Sequence, residues 1–76
     1  MMINDELRRA LELFAKRWKL ENELGQLERM LEVCLQMKEA RRVGNEQKYL
    51  DLLDDFSDSY CLSSQQMLLD FKVLLN

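Results

Sequence analysis

The stretch Arg41-Arg42-Val43-Gly44-Asn45-Glu46 decides how this chain is organised. Two arginines complement the carbonyl end of a helix, Gly44 suits the left-handed residue that closes one, and Asn45 is a good N-cap for the next. This is the one clear turn in the sequence. It divides the chain into an upstream and a downstream helical half.

Upstream, Asn4 followed by Asp5 and Glu6 reads as an N-cap with an acidic first turn. From there Leu7, Leu11, Phe14 and Trp18 recur at helical spacing and form one apolar seam. A second seam runs through Leu13, Leu20, Leu24, Leu27, Leu31 and Cys34, with Leu35 beside it. At about 100° per residue the two seams fall on nearly opposite sides of a continuous helix. Either the chain bends near Lys19–Asn22, or one long helix offers its two faces to different neighbours. Gly25 weakens a helix without ending it. The expectation is a long helix over about residues 4–42, or two nearly consecutive ones.

Downstream, Tyr49, Leu53, Phe56, Tyr60, Met67, Phe71 and Leu74 keep one phase, all within about 60° on the wheel. Ser63 and Gln66 have capping-box spacing, but the unbroken phase favours a single helix over about 45–75, bent at the serines at most. The predicted fold is therefore all-α, a single domain over residues 1–76. Its form is an antiparallel helical hairpin of coiled-coil type, or a three-helix arrangement if the first helix bends. Reflection about residue 44 places Cys34 about 10 Å along the axis from Cys61, too far for a bridge.

Composition agrees with helices and excludes several functions. The 76 residues hold 47% apolar and 33% charged side chains, no proline and two glycines, which is far from the composition of disorder. A domain of this size buries only about 60% of its unfolded-chain surface, so a partner or a second copy is expected. Net charge is −3, against nucleic-acid binding through a basic surface. It is also unevenly distributed: residues 1–42 carry nine Lys/Arg against eight Asp/Glu, and residues 43–76 two against six. No apolar run approaches the roughly 18 residues of a membrane span, and the first residues lack the order of a signal peptide. A cytoplasmic protein with reduced thiols is the expectation, and two cysteines without histidine are too few for structural zinc.

Catalysis has little to work with. Histidine is absent, no glycine-rich loop offers to cradle phosphate, and Cys34 sits among leucines with no imidazole to activate it. No catalytic residue, cofactor or metal is expected. Asp54-Asp55-Phe56-Ser57-Asp58 does resemble the D-D-x-x-D magnesium motif of isoprenoid synthases. That resemblance implies a metal- or phosphate-handling helix pair built on Asp51, Asp54, Asp55 and Asp58. On a helix these four lie within about 100° of one another, opposite the Tyr49/Leu53/Phe56/Tyr60 seam. Such a stripe is ordinarily a solvated face, and its mutual repulsion would be relieved by a basic partner.

The leucine-rich first half, the short turn and Asn45-Glu-Gln-Lys-Tyr-Leu50 together resemble the small helical-hairpin co-chaperones of type III secretion needle subunits, over about residues 27–60. The resemblance implies a protein that shields an aggregation-prone helix through apolar faces, without catalysis. The leading expectation is accordingly a non-enzymatic interaction module (chaperone, adaptor or inhibitor) that binds a protein partner or itself. Its candidate contact residues are Leu7, Leu11, Phe14 and Trp18, whose large aromatics and cationic rim suit an interface, together with the aspartate stripe. Against this stands the reading that the aromatic seam completes the chain's own core.

Overall fold

The computed structural model describes residues 3–76 and is all-α. Four α-helices follow in order: α1 Asp5–Arg17, α2 Leu24–Arg42, α3 Glu46–Ser59 and α4 Gln65–Lys72. A 3₁₀ turn at Glu21–Glu23 leads into α2, and another at Val73–Leu75 extends α4.

The Gly44 turn forms as its sequence demands. Gly44 has φ +75, the Asn45 N–H donates to the Ala40 carbonyl at 2.8 Å, and the Gly44 N–H donates to that of Arg41 at 3.2 Å. This pair of bonds is a Schellman close, with glycine at the left-handed position. Asn45 then caps α3 by accepting from the Lys48 N–H. The two helices lie antiparallel, as the bond from Gln26 near the start of α2 to the Asp58 carbonyl near the end of α3 requires.

The same device closes α1, with a residue that conceals it. Lys19 has φ 57, the Leu20 N–H donates to the Ala15 carbonyl at 2.7 Å, and the Lys19 N–H donates to that of Lys16. The chain therefore breaks at residues 18–23, within the span where a bend was the alternative to one long helix. Lysine in the left-handed region costs roughly 1–2 kcal/mol, and burial of the flanking apolar residues offsets it. Asn4 caps α1 as expected, its Oδ1 accepting from the Leu7 N–H at 2.7 Å.

The downstream half also divides, correcting the single helix over about 45–75. Tyr60 turns to extended backbone (φ −67, ψ 125), and Ser64, not Ser63, restarts the chain as the N-cap of α4 by accepting from the Met67 N–H. The continuous apolar phase concealed this break because Met67, Phe71 and Leu74 fall on the wheel position of Leu53 and Tyr60, although those two face outward in α3 while Met67 and Phe71 face the core. The break lets α4 turn back over α1, where Phe71 meets Phe14 edge-on with ring centroids 5.5 Å apart.

Helix α2 is central and is buried on more than one side. Leu27, Met30 and Leu31 join Ile3, Leu11, Phe14, Leu62, Met67 and Phe71 in the main core. Val33 and Ala40 pack with Leu52 in a smaller core between α2 and α3. Leu13, placed in the second seam by spacing alone, is exposed because the break at Lys19 removes it from the α2 stripe.

Candidate functional site

The aromatic seam is the first place to look for a partner surface, and the fold occupies most of it. Leu11 and Phe14 are 0% and 1% exposed, and Leu7 and Trp18 are half-buried against the same core. Met67 and Phe71 of α4 fill the face that a simple hairpin would have left open. Leu11 and Phe14 are covered by the chain's own helices in this fold, as in the alternative reading that the aromatic seam completes the core. The reason is the break at residues 60–64, which supplies an intramolecular helix for that face.

Polar bonds hold this closure. The Trp18 indole N–H donates to Asp70 Oδ2 at 2.7 Å, and the Arg17 guanidinium bonds the same oxygen. These partners, Trp18 foremost and Arg17 with it, hold the Asp70 carboxyl below its ordinary range. At the far end of the segment the Lys38 ammonium donates to the Leu75 carbonyl at 2.7 Å. Two residues distant in sequence, Trp18 and Asp70, thus latch the C-terminal segment to α1.

The aspartate stripe is where the sequence placed it, on the outer face of α3. Asp51, Asp54, Asp55 and Asp58 are all exposed. Asp51 accepts a bond from Gln47 one turn earlier. Among the described residues the ion pairs are Arg8 with Glu28, Arg17 with Asp70 and Arg42 with Glu39, and none uses a carboxylate of α3. Nor, among the described residues, do three or more acidic or thiol side chains converge as metal ligands. The carboxylates project in a row along one helix, and octahedral Mg²⁺ coordination asks for convergence.

Beside this row lies an apolar stripe that spacing misassigned. The inward face of α3 is Tyr49, Leu52, Phe56 and Ser59, with Leu52 and Ser59 buried. Leu53 and Tyr60, expected in the core seam, are 37% and 39% exposed, and Leu50 is 55% exposed. Both series, 49-52-56-59 and 49-53-56-60, are legitimate helical spacings. Ser59 settles the choice: its small side chain lies fully buried with Oγ bonded to the Phe56 carbonyl, where a tyrosine would not fit. Tyr60 instead packs its ring on Phe56 at 5.5 Å, continuing the outward stripe from Leu50 and Leu53.

At the turn end of the stripe, Leu50 borders a shallow depression lined by Ala40, Arg41, Gly44, Asn45 and Tyr49. The Arg41 guanidinium lies over the Tyr49 ring, 5.4 Å from its centroid. The exposed surface of α3 thus combines three apolar side chains with an unpaired row of carboxylates. Chemically, this arrangement offers area to bury and charge to match.

The thiols fit the same description. Burial pushes Cys34 up to about 11, and burial followed by the nearby Glu23 carboxylate pushes Cys61 up as well. Neither is activated as a nucleophile. No helix is long and apolar enough to cross a membrane among the described residues. Comparison with protein-family models, curated proteins and solved structures finds no match for this chain.

Proposed function

We propose that this chain is a non-enzymatic helical interaction module, cytoplasmic in setting, that binds a protein partner through the outer face of α3. One observation carries the reading. Leu50, Leu53 and Tyr60 form an exposed apolar stripe edged by Asp54, Asp58 and Asp51, and none of the four aspartates of α3 forms an ion pair among the described residues. Leu13, Val43, Leu69 and Val73 are exposed as well, but among the described residues only this stripe sets three apolar side chains along one helix beside a row of carboxylates, in a small domain that has little stability to spare. The resemblance of residues 27–60 to needle-subunit co-chaperones supports a helix-shielding role of the same general kind. That role now rests on the second helix of the hairpin, since the chain's own α4 covers the aromatic seam.

Co-purification from the native cells tests the reading when the intact chain is compared with Leu50→Glu/Leu53→Glu. Both positions are exposed, and a circular-dichroism melt that matches the intact chain verifies that the variant keeps its fold. The reading expects a partner held by the intact chain and lost from the variant. Equal recovery of the same partner would overturn it.

A further inference from the structure

The partner's own chemistry can be drawn from the shape of this surface. Around α3, in angular order, come Tyr60 and Leu53, then Leu50, then Asp54, Asp58 and Asp51. Asp54, Asp58 and Asp51 therefore lie on one side of the apolar stripe, while Glu46 stands in line with it at its N-terminal end. On its other side are Phe56 and Tyr49, packed toward α2. From Leu50 to Tyr60 the stripe runs about 15 Å, the length of roughly three helical turns.

We propose that the element docking on α3 is an amphipathic helix of about three turns, with a leucine-type apolar stripe and a lysine- or arginine-rich flank on one side. The proposal rests on the reading of α3 as the docking face. Charge fixes the flank: Asp54, Asp58 and Asp51 repel one another and form no ion pair among the described residues, with Lys48 of the same helix near Asp51 alone. A second copy of this chain does not supply such a helix: α1 mixes Arg9, Lys16 and Arg17 with Asp5, Glu6 and Glu12 on its exposed surface, and α2, whose exposed charges are Arg29, Lys38, Arg41 and Arg42, has no exposed apolar side chain to lay on the stripe. The exposed pair Leu69, on α4, and Val73, in the 3₁₀ turn after it, has no carboxylate row beside it. A helix laid along an apolar stripe with matched charge at its edge is a recurrent mode of peptide recognition.

The test uses three helical peptides of equal length that share one leucine stripe and differ in a Lys, Gln or Glu flank, titrated into the labelled full chain at low salt. The Lys-flanked peptide is expected to bind about tenfold tighter than the Gln-flanked one, as two or three exposed charge pairs allow, and to lose that advantage in high salt. Asp54→Lys/Asp58→Lys should transfer the preference to the Glu-flanked peptide. Leu50→Ala/Leu53→Ala should weaken all three. Equal binding of the three peptides, still weakened by Leu50→Ala/Leu53→Ala, overturns the cationic flank and leaves the docking face standing. If no peptide binds, or binding survives loss of both leucines, the docking face itself is wrong and the proposed function falls with it.

Discussion

Replacing Phe71 by leucine tests whether the C-terminal segment completes the core. Phe71 is 1% exposed and meets Phe14 edge-on at 5.5 Å. Leucine keeps the site apolar, so the expected loss has two parts. Lost contact and residual cavity cost about 1 kcal/mol, and the aromatic pair a further 0.5–1.5 kcal/mol. The sum is about 2 kcal/mol, against a total stability of roughly 4–11 kcal/mol for a domain of this length. With an unfolding entropy near 2.1 cal/mol/K per residue, the melting temperature should fall by about 12 °C. Helical circular dichroism follows the melt. The single tryptophan, Trp18, sits on Asp70 of the same segment and reports its docking by fluorescence. Leu69→Ala, on the outward face of α4, is the control and should change stability by no more than about 0.5 kcal/mol. A Phe71→Leu protein that melts within about 3 °C of the parent with unchanged Trp18 emission would show that α4 does not close over α1, and would return the aromatic seam to candidacy as a partner surface.

Three further outcomes follow from the same packing. Lys19→Gly should raise the melting temperature by about 3–6 °C, because glycine relieves the left-handed backbone at the close of α1. Gly44→Ala should lower it by a similar amount, its cost being φ alone since no atom crowds a Cβ there. A thermal melt that orders these two variants the other way would contradict the Schellman reading of both turns. Asp70 has a depressed carboxyl in the folded chain, so its contribution is fully present above the unfolded carboxyl range and is lost as pH falls through the folded value. The stability gap between the parent and Asp70→Asn should therefore be largest near neutral pH and close in acid, and a gap independent of pH would refute the latch. Cys34, raised to about 11, should carry roughly a hundredfold less thiolate at pH 8 than an ordinary thiol. Iodoacetamide alkylation slowed to that degree is expected, and alkylation at the rate of a free thiol would contradict its burial.

The legible parts of the fold were those that carry unambiguous local chemistry. Gly44 and Asn45 announce a turn because glycine is cheap at positive φ and asparagine is a good cap. Asn4 announces α1 for the second of these reasons. The break at Lys19 uses the same backbone geometry as Gly44, but lysine bears no mark of it, and only the opposed seams hinted that something had to bend there. The break at residues 60–64 is hidden because Met67 and Phe71 share a wheel position with Leu53 and Tyr60, residues that turn outward in α3. Its cost to the functional reading was large, since a continuous helix would have left Leu7, Leu11, Phe14 and Trp18 uncovered.

The candidate surface was half legible. Asp51, Asp54, Asp55 and Asp58 fall on the outer face of α3 as their spacing implies, because charged side chains lose too much on burial without partners. The apolar stripe beside them was not found, because Leu50, Leu52 and Leu53 cannot all face one core and periodicity alone is ambiguous by one residue. The signal that resolves it is steric: buried Ser59 marks the close approach of α3 to the core and forces Tyr60 outward.

The proposed docking surface is the outer face of α3, with the aromatic seam of α1 serving the chain's own core. Amide chemical-shift mapping of the intact chain with the Lys-flanked amphipathic peptide tests it most directly. Perturbations confined to residues 46–60, centred on Leu50, Leu53 and Asp54, are the expected result. Perturbations concentrated on Leu7 to Trp18 and on α4, as when the peptide displaces Phe71 from the seam, would contradict it.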